Sequence, residues 1–150
     1  MKWTPRRLKM VLNLYPPYLG AGIRVTHVSD DWRQVHVAMK LRWYNRNMVG
    51  THFGGSLYAM AEPHLMLMLM QLLGKGYVVW DKWATIEFVK PGRGTMRSVV
   101  KITDEELMAI KANTADGSRY LPEFNLEVVD DDEQIVATIK KTVYVRKKPD

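Results

Sequence analysis

The segment Ser56 to Leu73 constrains this chain more than any other. Placed at about 100° per residue it is apolar on nearly every side, and a helix with that distribution has no face to offer water. It should therefore be buried. One carboxylate, Glu62, stands within it, among Tyr58, Ala59, Leu65, Met66, Leu69 and Leu73, while Ser56, His64 and Gln71 group on the opposite sector. An unpaired carboxylate in apolar surroundings is costly to ionise, so its pKa should rise toward the range useful to a general base near neutral pH. Pairing with a buried cation would make it structural instead, and Arg42, Arg46 and Lys82 are the candidates for that role. Pro63 follows directly, removes a hydrogen bond to the Ala59 carbonyl, and should kink the axis beside Glu62.

The remaining pattern supplies something to bury this helix against. Thr4-Pro5 reads as a cap followed by Pro at the first helical position, opening a short amphipathic helix at about residues 5–15 that Pro16-Pro17 stops. From Trp32 to Trp43 the apolar residues alternate, which predicts a half-buried strand paired with Gly22 to Val28 through the Ser29-Asp30-Asp31 turn. Lys82 to Val89, Met96 to Thr103, Tyr120 to Val129 and Gln134 to Val145 carry strand patterning or β-rich composition. Thr103 with Glu106 three residues on forms a capping box for a helix over Asp104 to Asn113. The order is helix, two strands, long helix, two strands, short helix, two strands. This predicts an α+β chain, residues 1–150 forming a single hotdog domain in which an antiparallel sheet of about six strands wraps one long buried helix. An ordinary α+β sandwich fits the same order.

With no cysteine, disulfide scaffolds, thiolate zinc sites, Cys nucleophiles and iron–sulfur clusters are excluded. The longest apolar run, Leu65 to Met70, is far short of the roughly 20 residues that span a membrane, and Met1 to Lys9 lacks an apolar signal core, so a soluble, cytoplasmic protein is expected. The net charge of +6 favours anionic partners. Its excess gathers at Lys90, Arg93 and Arg97 around a Pro-Gly turn, and at Lys140, Lys141, Arg146, Lys147 and Lys148, which read as a solvated basic end. No strand face interleaves aromatic and basic residues as single-strand readers do, so no nucleic-acid partner is expected.

Ahead of the helix, Gly50-Thr51-His52-Phe53-Gly54-Gly55 leads to an N-terminus whose free N–H groups favour an anion. Asn47-x-x-Gly50-Thr51-x-x-Gly54-Gly55 followed by Glu62 resembles the signature of hotdog-fold acyl-CoA thioesterases of the phenylacetyl-CoA and human thioesterase-superfamily type, in the branch that uses Glu. Ile86 to Gly94 is similar to that family's strand ending in Pro and a basic turn. The resemblance implies that Glu62 is the base or nucleophile, Asn47 orients water or substrate, and Gly54 donates its N–H to the oxyanion. It further implies substrate contacts at Gly55, Phe53, Lys90 and Arg93, the last meeting coenzyme A phosphates. The implied activity is hydrolysis of an acyl-CoA by a homodimer or homotetramer, with no metal and no cofactor beyond the coenzyme A of the substrate. The chain departs from the family where Phe53 replaces a His, with His52 one place early, and where Asp81 falls near a family Ser or Thr. A non-catalytic acyl or lipid binder is the alternative these departures suggest. A hydroxyacyl dehydratase, suggested by Gly-Thr-His-Phe-Gly, would need a Glu where Met60 stands.

Overall fold

The computed structural model describes residues 3–149. Along the chain lie helices α1 (Pro5–Leu14) and α2 (Pro16–Ala21), strands β1 (Ile23–Val28) and β2 (Gln34–Lys40), helices α3 (Gly54–Ala61) and α4 (His64–Leu73), strands β3 (Tyr77–Phe88) and β4 (Thr95–Lys101), helix α5 (Asp104–Thr114), and strands β5 (Arg119–Tyr120), β6 (Glu123–Val129) and β7 (Ile135–Lys147). The strands form one antiparallel sheet of seven, in the order β1-β2-β4-β6-β7-β3, with β5 pairing β7. Helices α3 and α4 cross it, touching β1, β2, β4 and β6 from one half and β3 and β4 from the other. This is the hotdog-like arrangement of a mixed α+β chain.

Local chemistry sets the element ends. Thr4 accepts from the Arg7 amide at 3.3 Å and caps α1. Pro16-Pro17 does more than stop α1: the two prolines occupy the first turn of α2, where their missing N–H groups would have no partner anyway. Both halves of the α5 capping box form, with Glu106 N donating to Thr103 Oγ1 at 3.1 Å and Thr103 N to Glu106 Oε2 at 2.8 Å. The strand expected to reach Trp43 ends at Lys40, because Leu41 to Asn45 turn back on themselves.

The long helix divides at Glu62-Pro63. Pro63 has no N–H for the Ala59 carbonyl, and the Tyr18 hydroxyl donates to that carbonyl instead at 3.1 Å. His64 Nε2 lies 3.1 Å from the Met60 carbonyl and 3.0 Å from Tyr18 Oη. A single Nε2–H shared between them satisfies both. Burial pulls the His64 pKa down to about 4, so the ring is neutral at ordinary pH. His64 thus holds the break together in a buried knot with Tyr18, while Gln71 of the expected polar sector is half-buried.

Burial of the helix pair is one-sided. Leu57, Met60, Ala61, Leu65, Met68 and Leu69 pack against the sheet, while Tyr58, Met66, Leu67, Leu72 and Leu73 are half-buried and Met70 is exposed. An all-round apolar helix with one open flank leaves apolar surface for a further partner to cover.

Tyr18→Phe removes the hydroxyl that serves the break and leaves the Ala59 carbonyl without a donor. It is expected to cost about 1–3 kcal/mol, read as a lower urea midpoint at unchanged slope.

Candidate functional site

Three charged side chains meet at the helix break. Glu62 sits in the turn itself; Lys141 comes from β7 and Asp81 from β3, its neighbour in the sheet. Lys141 Nζ lies 3.2 Å from Glu62 Oε1 and 2.9 Å from Asp81 Oδ1, the latter contact outside hydrogen-bonding geometry, and it also donates to the Glu62 carbonyl. The Lys141 side chain is 0% exposed, against 31% for Glu62 and 25% for Asp81. The cation therefore fills the floor, and the carboxylates form a half-open rim.

Strand geometry produces this meeting. Along β7 the residues Ile139, Lys141, Val143 and Val145 share the core face, so Lys141 is carried inward by alternation, and its partner across the ladder is the small Ala84. On β3 the register slips between Asp81 and Trp83, with Lys82 as the extra residue. That bulge lets Asp81 and Ala84, three positions apart, both face inward. Lys82 itself is exposed, as are Arg42 and Arg46, so none of the three expected cations is the partner of Glu62. Nor does Glu62 stand alone, and Lys141 is no part of a solvated tail.

Burial is the largest influence on Glu62 and pushes its carboxyl pKa up; Lys141 pulls it down, and Asp81 adds an upward push. The net direction is upward, as expected from the sequence, with burial outweighing a cation that the sequence did not reveal. Tyr58, half-buried nearby, has its hydroxyl pKa raised by burial and then by the charges of Glu62 and Asp81. Lys141 and Tyr58 were both missed as site residues. The available signal was the in-phase run Ile139, Lys141, Val143, Val145.

The other expected residues gather elsewhere. Asn47, Thr51, His52, Gly54, Phe88 and Lys90 help to line a groove of about 410 Å³ at the start of α3. Asn47 is spent on its own loop: Oδ1 accepts from the Val49 and Thr51 amides at 3.1 and 3.0 Å, and Nδ2 donates to Thr51 Oγ1 and the His52 carbonyl at 2.9 and 3.3 Å. His52 is buried, with Nε2 2.9 Å from the Gly94 carbonyl, and pins this loop to the 91–94 turn. Gly54 opens α3, where its N–H has no intrahelical acceptor. A Cβ on Gly54 would come within 2.9 Å of the Phe88 ring, and one on Gly55 within 2.6 Å of the Phe53 ring. Lys90 is neutralised by Asp130 at 2.6 Å, whereas Arg93 is exposed in the turn.

Glu62 is not among the residues lining this groove. Eight helical positions separate it from Gly54, a rise of about 12 Å. Within one chain the carboxylate and that amide cannot touch the same carbonyl group. Among the described residues no cluster of His, Asp and Glu could hold a metal ion.

Lys141→Met would leave two carboxylates facing each other without their cation, an expected loss of about 3–5 kcal/mol. The Glu62 pKa would then rise further in the folded state. The stability should be best below the unfolded carboxylate range and fall as pH climbs from there through the raised folded-state pKa, measured by urea unfolding between acid and neutral pH.

No helix among the described residues is long and apolar enough to cross a membrane. No curated protein matches the chain. Several solved structures share its fold. A Pseudomonas aeruginosa protein of unknown function, described as a probable thioesterase, superposes with a TM-score of 0.80 at 16% identity, over 95% of this chain and 96% of that one. A Chlorobaculum tepidum protein with unknown function reaches 0.75 at 16% identity, over 97% and 98%. A Haemophilus influenzae thioesterase reaches 0.70 at 13% identity, over 100% and 95%. Residues 5–145 match the profile of a family described as a domain of unknown function, DUF4442, and the chain belongs to that family.

Proposed function

We propose that this protein hydrolyses the thioester of an acyl-CoA at a site built between two copies of the chain. The observation that carries the reading is Glu62: a half-open carboxylate with an upward-shifted pKa, held at a helix break by a buried lysine, in a fold shared with proteins called thioesterases. In its ionised form Glu62 takes a proton from water as that water attacks the thioester carbonyl. The oxyanion is received by the amide of Gly54, an interaction on the order of 3 kcal/mol in well-measured cases. The tetrahedral intermediate then expels the thiolate, which recovers the proton from Glu62.

The second copy follows from distance. Since Gly54 and Glu62 of one chain are too far apart to share a carbonyl, the amide must come from the partner. Strand β3 is suited to this assembly. Among the described residues it pairs only with β7, and Trp80 and Trp83 along it are 46% and 53% exposed. A long, apolar, uncovered edge is a template for pairing with another strand. The opposite edge is closed: Asn13 of α1 bonds both backbone groups of Val25 at 2.8 and 3.0 Å, and Lys9 Nζ takes the Thr26 carbonyl at 2.7 Å. The homodimer would thus join through β3, with the open helix flank beside it.

A non-catalytic acyl binder is the second reading, favoured by Asn47, whose polar atoms are all committed within its loop. Turnover separates the two. Glu62→Gln is expected to lower kcat for a panel of acyl-CoAs by about a hundredfold or more with little change in affinity. In the unmodified protein, kcat/KM should rise with pH through an apparent pKa above the ordinary carboxylate range, because the base acts ionised. Binding without release of free thiol across the panel would establish the binder.

Complementation tests the shared site. Gly54→Pro removes one N–H at the first helical position, where the proline ring suits the backbone, provided the partly exposed Phe88 ring shifts to admit its Cβ; urea unfolding of the variant checks that it folds. Mixed with Glu62→Gln under subunit exchange, two inactive variants should recover about a quarter of the activity, since half the dimers are mixed and each holds one intact site. No recovery would place both residues in separate roles.

A further inference from the structure

We propose that the groove between α2, β1 and β2 binds the diphosphate of a nucleotide, with Arg24, Lys40 and Arg42 as its phosphate ligands. The groove encloses about 410 Å³ and is lined by these three cations, the hydroxyl-bearing Thr26 and Tyr44, and no acidic residue. Several cations elsewhere are paired: Arg33 with Asp104, Lys90 with Asp130, Arg97 with Asp131, Lys140 with Glu123. Among the described residues Arg24, Lys40 and Arg42 have no carboxylate within ion-pairing distance. Gathering three like charges on one concave surface costs electrostatic energy that a bound polyanion returns, and guanidinium groups match phosphate oxygens in pairs.

The groove is also preorganised. Arg24 pairs across the ladder with Ala38, and Lys40 lies two positions further along the same face of β2. The loop beyond Lys40 is tied by the buried Asn45, whose Oδ1 accepts from Arg42 N at 2.7 Å. Its Nδ2 donates to the carbonyls of Lys40 and Ala21 at 2.9 and 3.0 Å. Gly22 makes room for this knot: it adopts φ +74°, and a Cβ there would come within 2.9 Å of Asn45 Nδ2 and 3.1 Å of Tyr44 Oη. Tyr44 lines this groove and also a neighbouring one that reaches Phe53 and Ser56 at the start of α3. A ligand phosphate-bound at Arg24, Lys40 and Arg42 would therefore extend past the Tyr44 ring toward the Gly54 amide.

An acyl-CoA carries a nucleotide diphosphate at the end remote from its thioester, so the inference deepens the thioesterase reading and takes its ligand identity from it. It moves the nucleotide end from the 91–94 turn, where Lys90 is already neutralised by Asp130. The test is calorimetric titration of the full chain with ADP, pyrophosphate and adenosine. ADP and pyrophosphate should bind, more weakly as salt rises, and adenosine alone should not. Arg24→Gln with Arg42→Gln should weaken ADP by about tenfold or more, and Arg24→Lys with Arg42→Lys should weaken it less. Unchanged ADP affinity in the Gln pair, or loss of binding in Arg93→Ala, would overturn the assignment. Turnover gives the second arm: in the Gln pair the ratio of kcat/KM for an acyl-CoA to that for the same acyl group on pantetheine should fall about tenfold. An unmoved ratio in a protein that cleaves both substrates refutes the groove and spares the hydrolase. ADP binding that is lost in the Gln pair, in a protein that cleaves neither, upholds the groove and refutes the hydrolase.

Discussion

A lysine with no exposed side-chain surface must find its counter-charges inside the protein, and much of this structure is arranged around that demand. Lys141 takes one carboxylate from the helix break, one from the neighbouring strand and a backbone carbonyl. Each donation needs an irregularity. The carbonyl of Glu62 is available because the α-helix is interrupted there, and Asp81 faces inward in step with Ala84 because β3 carries an extra residue. The proline, the bulge and the buried cation are thus one construction. Burial there outweighs the pull of Lys141, with Asp81 adding to it, which is why the Glu62 proton is held more tightly than in water.

The break is stabilised from the opposite side as well. Tyr18 and the neutral His64 supply the donors that Ala59 and Met60 lack, so α2, a short element, is tied into the long helix axis by hydrogen bonds and not by apolar packing alone. Between this knot and Lys141 the position of Glu62 is fixed from both flanks. A carboxylate held this way keeps little freedom of its own, and its rim stays partly open to solvent.

Patterns of period two and 3.6 were enough to read most of the elements, though not α2, β5 or the division of the long helix into two, because each pattern depends on residues close in sequence. The capping box at Thr103, the proline kink and the alternating strands all belong to that class. What escaped reading depends on phase between distant segments. Two adjacent lysines, 140 and 141, look alike in a basic stretch, yet one strand face is core and the other is solvent, so one of them had to go in. Extending the alternation backward from Val143 and Val145 picks Lys141. The loop at Asn47 carries a motif that resembles a catalytic signature, while its hydrogen bonds are those of a self-contained turn. Asp81 could not be placed without the bulge, which has no local marker in the sequence.

Charge pairing also divides the surface. Lys90 before the 91–94 turn and Arg97 on β4 are tied to Asp130 and Asp131 at the β6–β7 hairpin, so much of the basic charge there is offset in space. The unbalanced part of the +6 lies elsewhere, and Arg24, Lys40 and Arg42 concentrate some of it in one concavity. A concave, low-dielectric wall focuses such a field and raises the local concentration of anions before any contact forms. Clustering in the sequence and clustering of potential are therefore different quantities. Lys90 and Arg97 are close in sequence and each is paired with an aspartate, whereas Arg24 and Arg42 are far apart in sequence and line one groove with no carboxylate in its wall.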